Sequence, residues 1–405
     1  MNLGWLSLGG LLITVAVSCA TRLNAGLIAI ALAWIIGVYF GGMPARQIVA
    51  SFPSELFFTL AGVALLFSQA TENGTLERVA AKAVAACRGR AGLVPILFFF
   101  LGAALASCGP GPIAAAGLLA PVAMSTALRL KIPPFLMALM VGNGANAGAL
   151  SPLAPTGLVA AGVMDKISLG GHMLESWGYN LFAHSLVAFA GYFAFGGLTQ
   201  LRRTDRLETS AGVTLERAHF ITLAVIAALV AAIIFFKVHI GLASFAAVVV
   251  LSICNAADEE KAIRKMPWSV IVMVCGVSIL VALLEKTSGI ELFANLISSV
   301  STPATVVPVV AAIVGLISAY SSTSGVVLPA FLPLAQKLGG DALNLAFTIN
   351  VASALVDVSP LSTIGALCVA GLPQGEDSKR LFNQMLAWGL SMTLVGALIC
   401  WVLFR

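Results

Sequence analysis

Charge is scarce in this sequence. Only 10% of its 405 residues are Asp, Glu, Lys or Arg, against 60% that are hydrophobic. Soluble domains carry about a quarter charged residues, so a soluble globular protein is excluded, in keeping with a mean hydropathy of +1.02. No soluble domain is left over either, because the longest polar segment, 199–219, is no more than a loop. Histidine is nearly missing, with four in the chain, and no HExxH pattern occurs. The seven cysteines are scattered through apolar runs, with no CxxC pair and no histidine at ligand spacing. That pattern excludes a disulfide framework and a structural metal site. A net charge of +5 is too small to point to nucleic acid.

What is present in quantity is the apolar run of about 20 residues, the length of a membrane-spanning helix. Spans are expected at about 3–20, 24–42 and 54–70, the first read as a span and not as a secretory signal. The amphipathic segment 75–90, with Arg78, Lys82, Arg88 and Arg90, is too charged to cross and reads as interfacial. The run 93–128 is interrupted by Ser107-Cys108-Gly109-Pro110-Gly111-Pro112. Helix breakers this deep suit a re-entrant hairpin of two half-helices. A broken span, 134–164, and a span at 181–200 follow. Beyond the Arg-rich loop the plan recurs: spans at 219–236, 240–255 and 268–284, an amphipathic segment 288–300 and an interrupted run 306–338 broken at 320–325. A broken span 342–372 and a last span 383–403 complete it.

The halves align. Gly26 pairs with Gly241, Pro53 with Pro267, Gly62 with Gly276, and Ser151-Pro152 with Ser359-Pro360, the offset drifting from 215 to 208 residues. Five crossings per half is an odd number, so the second half is inverted. With the N-terminus outside, most of the 22 Lys and Arg residues fall in cytoplasmic loops. Only Arg46, Lys166, Lys237, Lys286, Lys337 and Arg405 fall outside. This positive-inside bias gives ten crossings with both termini outside. The expected fold is an all-α polytopic membrane protein of two inverted repeats, residues 1–200 and 219–405, joined by a cytoplasmic loop, 201–218. Each repeat has five spans, one interfacial amphipathic helix, one re-entrant hairpin and one broken helix.

The residues able to do chemistry lie at the breaks. Asp357 leads into Ser359-Pro360-Leu361-Ser362-Thr363 inside the apolar run 343–372. A lone Asp at that depth costs about 2.5–3.5 kcal/mol on insertion scales and marks function. Two broken helices in matching places point to a transporter binding site. All basic residues lie in loops or at span ends, so none can neutralise an anion at mid-membrane. Hydroxyls, amides and the positive ends of half-helices remain for that task. The expected substrate residues are Asn143, Asn146, Ser151, Thr156, Ser321, Ser322, Thr323, Ser324, Ser362 and Thr363. The expected ion-coupling residues are Asp357 and Ser359, with Ser107 and Gly109. Single hydroxyls in membrane helices often just bond back to a carbonyl one turn earlier, and Asn143 and Asn146 could serve as helix glue. His172, His219 and His239 read as peripheral, and His184 as sitting near a span end. An intramembrane protease would need a second acid, or a His or Lys at depth beside its Ser. A passive channel would show a polar stripe along whole helices. Neither pattern is visible.

Two hairpins, two broken helices and inverted halves resemble the ion transporter superfamily that includes divalent-anion/sodium symporters. The segments Gly109-Pro110-Gly111-Pro112-Ile113-Ala114-Ala115 and Asp357-Val358-Ser359-Pro360-Leu361-Ser362-Thr363 look most like its malonate/dicarboxylate carrier (MatC-like) branch. The resemblance covers nearly the whole chain. It implies a homodimer in the inner membrane, a moving transport domain on a static scaffold, and symport of a small carboxylate with Na⁺ or H⁺. It implies no cofactor beyond a coupling Na⁺. Transport of another small anion, or cation/proton antiport, is the alternative within the superfamily. Symporters of this kind carry Ser-Asn-Thr at each hairpin tip. The equivalent positions here are Gly111-Pro112-Ile113 and Thr323-Ser324-Gly325, so the first tip lacks the side-chain ligands.

Overall fold

The computed structural model describes the chain apart from residues 1, 22, 86–90, 202–213, 237, 267, 320–322 and 374–375. Ser321, Ser322, Arg88, Arg90 and most of the central loop therefore lie outside the described residues, as does the side chain of Ser324. The described residues form helices and no strands.

Helix starts follow local chemistry. Asn2, Asn24, Asp258, Asp341 and Asp377 each accept a hydrogen bond from a backbone N–H two or three residues on. Such caps satisfy donors that the first turn leaves free. The element order follows the sequence expectation with differences at the ends. Helices Leu3–Ala20, Ala25–Trp34 (continued by a π turn to Phe40) and Ser54–Glu72 open the chain, and Thr75–Ala85 is the amphipathic segment. Leu93–Ser107 and Gly111–Arg129 form the first hairpin, then Pro134–Ala147 and Pro155–Lys166 the first broken span. The second part runs Arg217–Phe236, Ile240–Ile253, Trp268–Lys286, Gly289–Ser299, Val306–Ser318, then Ala342–Val356 and Thr363–Ala370, and Ser378–Phe404.

Three expectations are corrected. The span placed at 181–200 is Met173–Ala194. Its start is set by the Gly170-Gly171 turn, and Gly196, at φ +98°, ends it. The last span begins at Ser378, with Lys379 and Arg380 in its first turn. The return arm of the second hairpin is not one half-helix but a π turn Thr323–Val327, a turn Leu328–Phe331 and a 3₁₀ stretch Leu332–Lys337. Pro329 and Pro333 remove the donors a regular helix would need there. Lys337 at its end pairs with Glu291 of Gly289–Ser299. By length and apolarity, Gly111–Arg129 and Ser378–Phe404 can each cross a membrane alone among the described residues; eight further apolar helices are shorter, and Ile271–Lys286 with Gly289–Ser299 forms a bent pair.

Packing between the halves is close and paired. A Cβ on Gly276 would come within 2.3 Å of the Gly26 carbonyl oxygen, and one on Gly62 within 2.3 Å of the Gly241 carbonyl oxygen. Small residues let membrane helices approach backbone to backbone. The first halves of the two broken spans are the innermost elements. Every residue of Pro134–Ala147 from Phe135 on is buried, as is every residue of Ala342–Val356 from Leu345 on. Gly144 and Gly148 lie so close to Phe99 and Ala103 of the first hairpin that a Cβ would stand 2.3 and 2.4 Å from their carbonyl oxygens. The C-terminal ends of these two helices, at Asn146 and Asp357, are thereby held deep in the protein.

Candidate functional site

Helix ends converge where the broken spans stop. A small cavity, about 10 Å³, is lined by Pro112, Ile113, Asn146, Ala149, Thr156, Thr323, Ala354, Asp357 and Thr363. Pro112 and Ile113 lie in the first turn of Gly111–Arg129, Thr156 in that of Pro155–Lys166, and Thr363 opens Thr363–Ala370. Three positive helix ends therefore meet at one point. From the other side come the C-terminal ends of Pro134–Ala147 and Ala342–Val356, bringing Asn146 and Asp357. No Lys, Arg or His lines the cavity among the described residues. Asn146 is 1% exposed, and its Nδ2 has no hydrogen-bond partner among the described residues. An unpaired buried donor is costly, so this N–H₂ is suited to an anionic acceptor. Asp357 is buried.

The breaks are built alike. Ser151 Oγ accepts from Leu153 N at 3.3 Å, and Ser359 Oγ from Leu361 N at 3.3 Å. Gly157 and Gly365 then press onto the backbone of these serines, where a Cβ would meet the Ser151 and Ser359 carbonyl oxygens at 2.1 and 2.2 Å. At the first hairpin tip, Gly109 and Gly111 take φ of +131° and +78°, a conformation open to glycine. A Cβ at Gly109 would also strike the Phe67 ring.

Of the residues expected from sequence, Asn146, Thr156, Thr323 and Thr363 come together, and Asp357 joins them. Others are committed elsewhere. Asn143 turns away from the cavity: its Nδ2 donates to the Leu139 carbonyl at 2.9 Å, and its Oδ1 lies 3.0 Å from His184 Nδ1. The reason is rotation, since three residues along a helix change the facing side by a fraction of a turn. The Ser151 hydroxyl donates to the Ser107 carbonyl at 2.7 Å, and Ser362 donates to the Asp357 and Ser359 carbonyls. These hydroxyls shape the breaks. Ser359 is fully buried beside Gly389. Ser107 and Gly109 act at the first tip through backbone, and the tip presents Pro112 and Ile113 to the cavity. His184 is in mid-helix and fully buried, not near a span end. Its position follows from the earlier start of Met173–Ala194; the signal in the sequence was the Gly170-Gly171 pair. Ser318 and Ser353, also unexpected, anchor Thr323: Ser318 Oγ lies 2.8 Å from Thr323 Oγ1, and both hydroxyls reach the Ser353 carbonyl.

A larger cleft, about 420 Å³, adjoins the cavity. It runs from Glu77 and Lys265 along Ser68, Thr71 and Ala114 to Pro112, Ile113 and Thr156. The last three residues line both spaces. The first turn of Gly111–Arg129 is the wall between them.

Residues 1–149 match the family model described as dicarboxylate carrier protein MatC N-terminus. The resemblance drawn from the residues is borne out over that stretch. In fold the chain is similar to the crystal structure of the YdaH transporter of Alcanivorax borkumensis, with a TM-score of 0.59 and 17% sequence identity, over 88% of this chain and 87% of that one. No curated protein sequence matches the chain. The matched family and the fold neighbour are both described as transporters, and the chain's own apolar helices are those of a membrane protein.

Proposed function

We propose that this chain is a secondary active transporter of a small carboxylate anion, a dicarboxylate such as malonate or a four-carbon acid, coupled to Na⁺ or H⁺. The observation that carries this is the Asn146 Nδ2, which has no partner among the described residues, at a cavity where three helix N-termini meet and which no described basic side chain lines. Such a site holds a carboxylate by partial charges and N–H or O–H donors, as broken-helix transporter sites do. The match of residues 1–149 to a dicarboxylate carrier family supports the substrate class.

Asp357 supplies the coupling. A carboxylate in the cavity and Asp357 are two like charges in a medium of low dielectric, and like charges there repel strongly. A cation arriving with the substrate removes the conflict, either a proton on Asp357 or Na⁺ held by its carboxylate with oxygens of the 357–362 break. The second half of the chain, with its acid and hydroxyls, dominates this step.

Movement is required. A space of about 10 Å³ is room for about one water and far too small for a dicarboxylate, so the helix ends part when substrate enters. The first turn at Pro112 and Ile113 is the wall that yields, joining the cavity to the 420 Å³ cleft. In this scheme the hairpins and broken spans move elevator-fashion on the remaining helices of a homodimer in the inner membrane. The halves are inverted repeats with five crossings each, both termini are outside, and the Glu77–Lys265 mouth faces the cytoplasm. The crossed glycine contacts support the repeat: Gly26 meets Gly276 while Gly62 meets Gly241, as exchange of the paired positions 26/241 and 62/276 requires.

The test is binding and uptake with purified protein in the presence and absence of Na⁺. A small dicarboxylate, malonate first, raises the unfolding temperature and accumulates in proteoliposomes, and Asn146→Leu loses both effects. A wild-type chain that neither is stabilised by nor takes up any small mono- or dicarboxylate overturns the proposal.

A further inference from the structure

One face of the helix Met173–Ala194 is polar on three successive turns. Ser176, Asn180 and His184 are all buried there, and residues four apart stand one above another on a helix. Each reaches an element that frames the small cavity. Asn350 Nδ2, on Ala342–Val356, donates to Ser176 Oγ at 2.8 Å. Asn180 Nδ2 donates to the Asn146 carbonyl at 2.8 Å. His184 Nδ1 lies 3.0 Å from Asn143 Oδ1, one turn before Asn146. The opposite ends of the same side chains, Asn350 Oδ1, Asn180 Oδ1 and His184 Nε2, are buried without a hydrogen-bond partner among the described residues. Ser176 also lies on the lining of a separate cleft of about 260 Å³ that includes Asp165, Gly171 and His172.

The hydrogen bonds assign the imidazole. Asn143 Nδ2 is committed to the Leu139 carbonyl, so the Asn143 atom facing the ring is an acceptor. His184 in its neutral form therefore carries its proton on Nδ1 and the lone pair on Nε2. Nε2 is the atom with no partner. Buried polar atoms without a partner are commonly met by ordered water, and the side chains that carry these atoms adjoin Ser176, which lies on the lining of that cleft.

We infer that His184 is a proton-binding residue, reached by water along Ser176 and Asn180 from the cleft at Asp165–His172, and that it takes up a proton when a carboxylate binds at Asn146. This rests on the carboxylate function proposed above. The step is a simple protonation: a proton delivered from water adds to Nε2 and gives the imidazolium, whose Nδ1–H stays on Asn143. The elements around the ring bring no counter-charge to it among the described residues. Leu93–Ser107, Pro134–Ala147, Ala342–Val356 and Gly197–Leu201 contain no titratable residue. Pro155–Lys166 brings Asp165 and Lys166 only at its far end, and Ser378–Phe404 brings Lys379 and Arg380 at its start and Cys400, whose thiol lies on the Thr348 carbonyl. On its own helix, Glu175 pairs with His172 at the exposed end, Tyr179 packs on Phe347 and Phe404, and the Tyr192 hydroxyl is held by the Gly92 and Gly197 carbonyls. Asp357 faces the cavity. A carboxylate at Asn146 is the counter-charge this ring lacks.

The experiment is malonate titration calorimetry of the purified full chain in two buffers of different ionisation enthalpy, across pH. Wild type, His184→Gln and Asp357→Asn are compared; Gln keeps an N–H for Asn143. Proton uptake accompanies malonate binding to wild type and persists in Asp357→Asn. His184→Gln takes up about one proton fewer per malonate, and the alkaline rise of its Kd, about tenfold per pH unit in wild type, flattens. Proton uptake by His184→Gln equal to wild type overturns the inference. If His184→Gln does not fold, the other two proteins decide: binding by wild type without proton uptake, or uptake abolished in Asp357→Asn, overturns it. A wild-type chain that binds no small carboxylate overturns the function proposed above and this inference with it, whereas binding without proton uptake overturns this inference alone.

Discussion

The Ser151 hydroxyl donates to the Ser107 carbonyl at 2.7 Å, joining the break of the first broken span to the last residue of the hairpin arm Leu93–Ser107. The second hairpin is tied to its broken span in the opposite sense. There the hairpin supplies the donors, Ser318 and Thr323, and the broken span supplies the acceptor, the Ser353 carbonyl. Each hairpin is thus fastened next to the cavity by hydroxyl-to-carbonyl bonds, which are specific in geometry and weak enough to exchange.

Ser151→Ala removes one such bond and leaves the Ser107 carbonyl without it. A loss of about 0.5–1.5 kcal/mol is expected for a neutral hydrogen bond, seen as a lower unfolding temperature. The exposed Cys108 beside the tip then reacts faster with a maleimide. Equal unfolding temperature and equal Cys108 reactivity in mutant and wild type would remove this role.

Gly276→Val tests the crossing with Gly26. A side chain there meets the Gly26 backbone, which cannot rotate aside as a side chain would. Overpacking of this kind costs about 1–3 kcal/mol or more. The expected result is loss of the monodisperse peak in size-exclusion chromatography, with the same outcome for Gly62→Val. A stable, active Gly276→Val protein would show that these helices can separate.

Asp357→Asn keeps the shape of the break and removes its charge. Substrate repulsion falls, so exchange of carboxylate across the membrane continues while the part of accumulation driven by the ion held at Asp357 is lost. The dependence that disappears, on Na⁺ or on pH gradient, names the ion. Proteoliposomes of the mutant that accumulate substrate like wild type under both gradients would clear Asp357 of this role.

Orientation is read with single cysteines. Lys261 and Lys166 are both exposed and lie on opposite faces in the proposed topology. A residue as buried as the neighbouring Ala262 would not report. In a chain without its other cysteines, an impermeant maleimide added to intact cells labels Lys166→Cys and spares Lys261→Cys. The reverse pattern would invert the topology and place the 420 Å³ cleft outside.

Much of this protein was legible in its residues one stretch at a time. Apolar runs place helices because a buried helix must be apolar for its length. Breaks at 107–112, 151–156 and 357–363 show because Pro, Gly and clustered hydroxyls act on the backbone within a few residues. The spacing of Gly26 and Gly62 against Gly241 and Gly276 led to the expectation of matched positions. What tertiary structure alone decided was which way each side chain turns. Asn143 and Asn146 stand one turn apart on a helix buried all round. Such a helix has no polar face to show its rotation, so sequence placed both at the cavity, and packing gave Asn143 to His184 and Asn146 to the cavity. His184 itself is meaningless until the helix that carries it is set against Pro134–Ala147, because its partner lies 41 residues away in the chain. Convergence of helix ends from both halves is likewise a matter of contacts hundreds of residues apart, which no local pattern encodes.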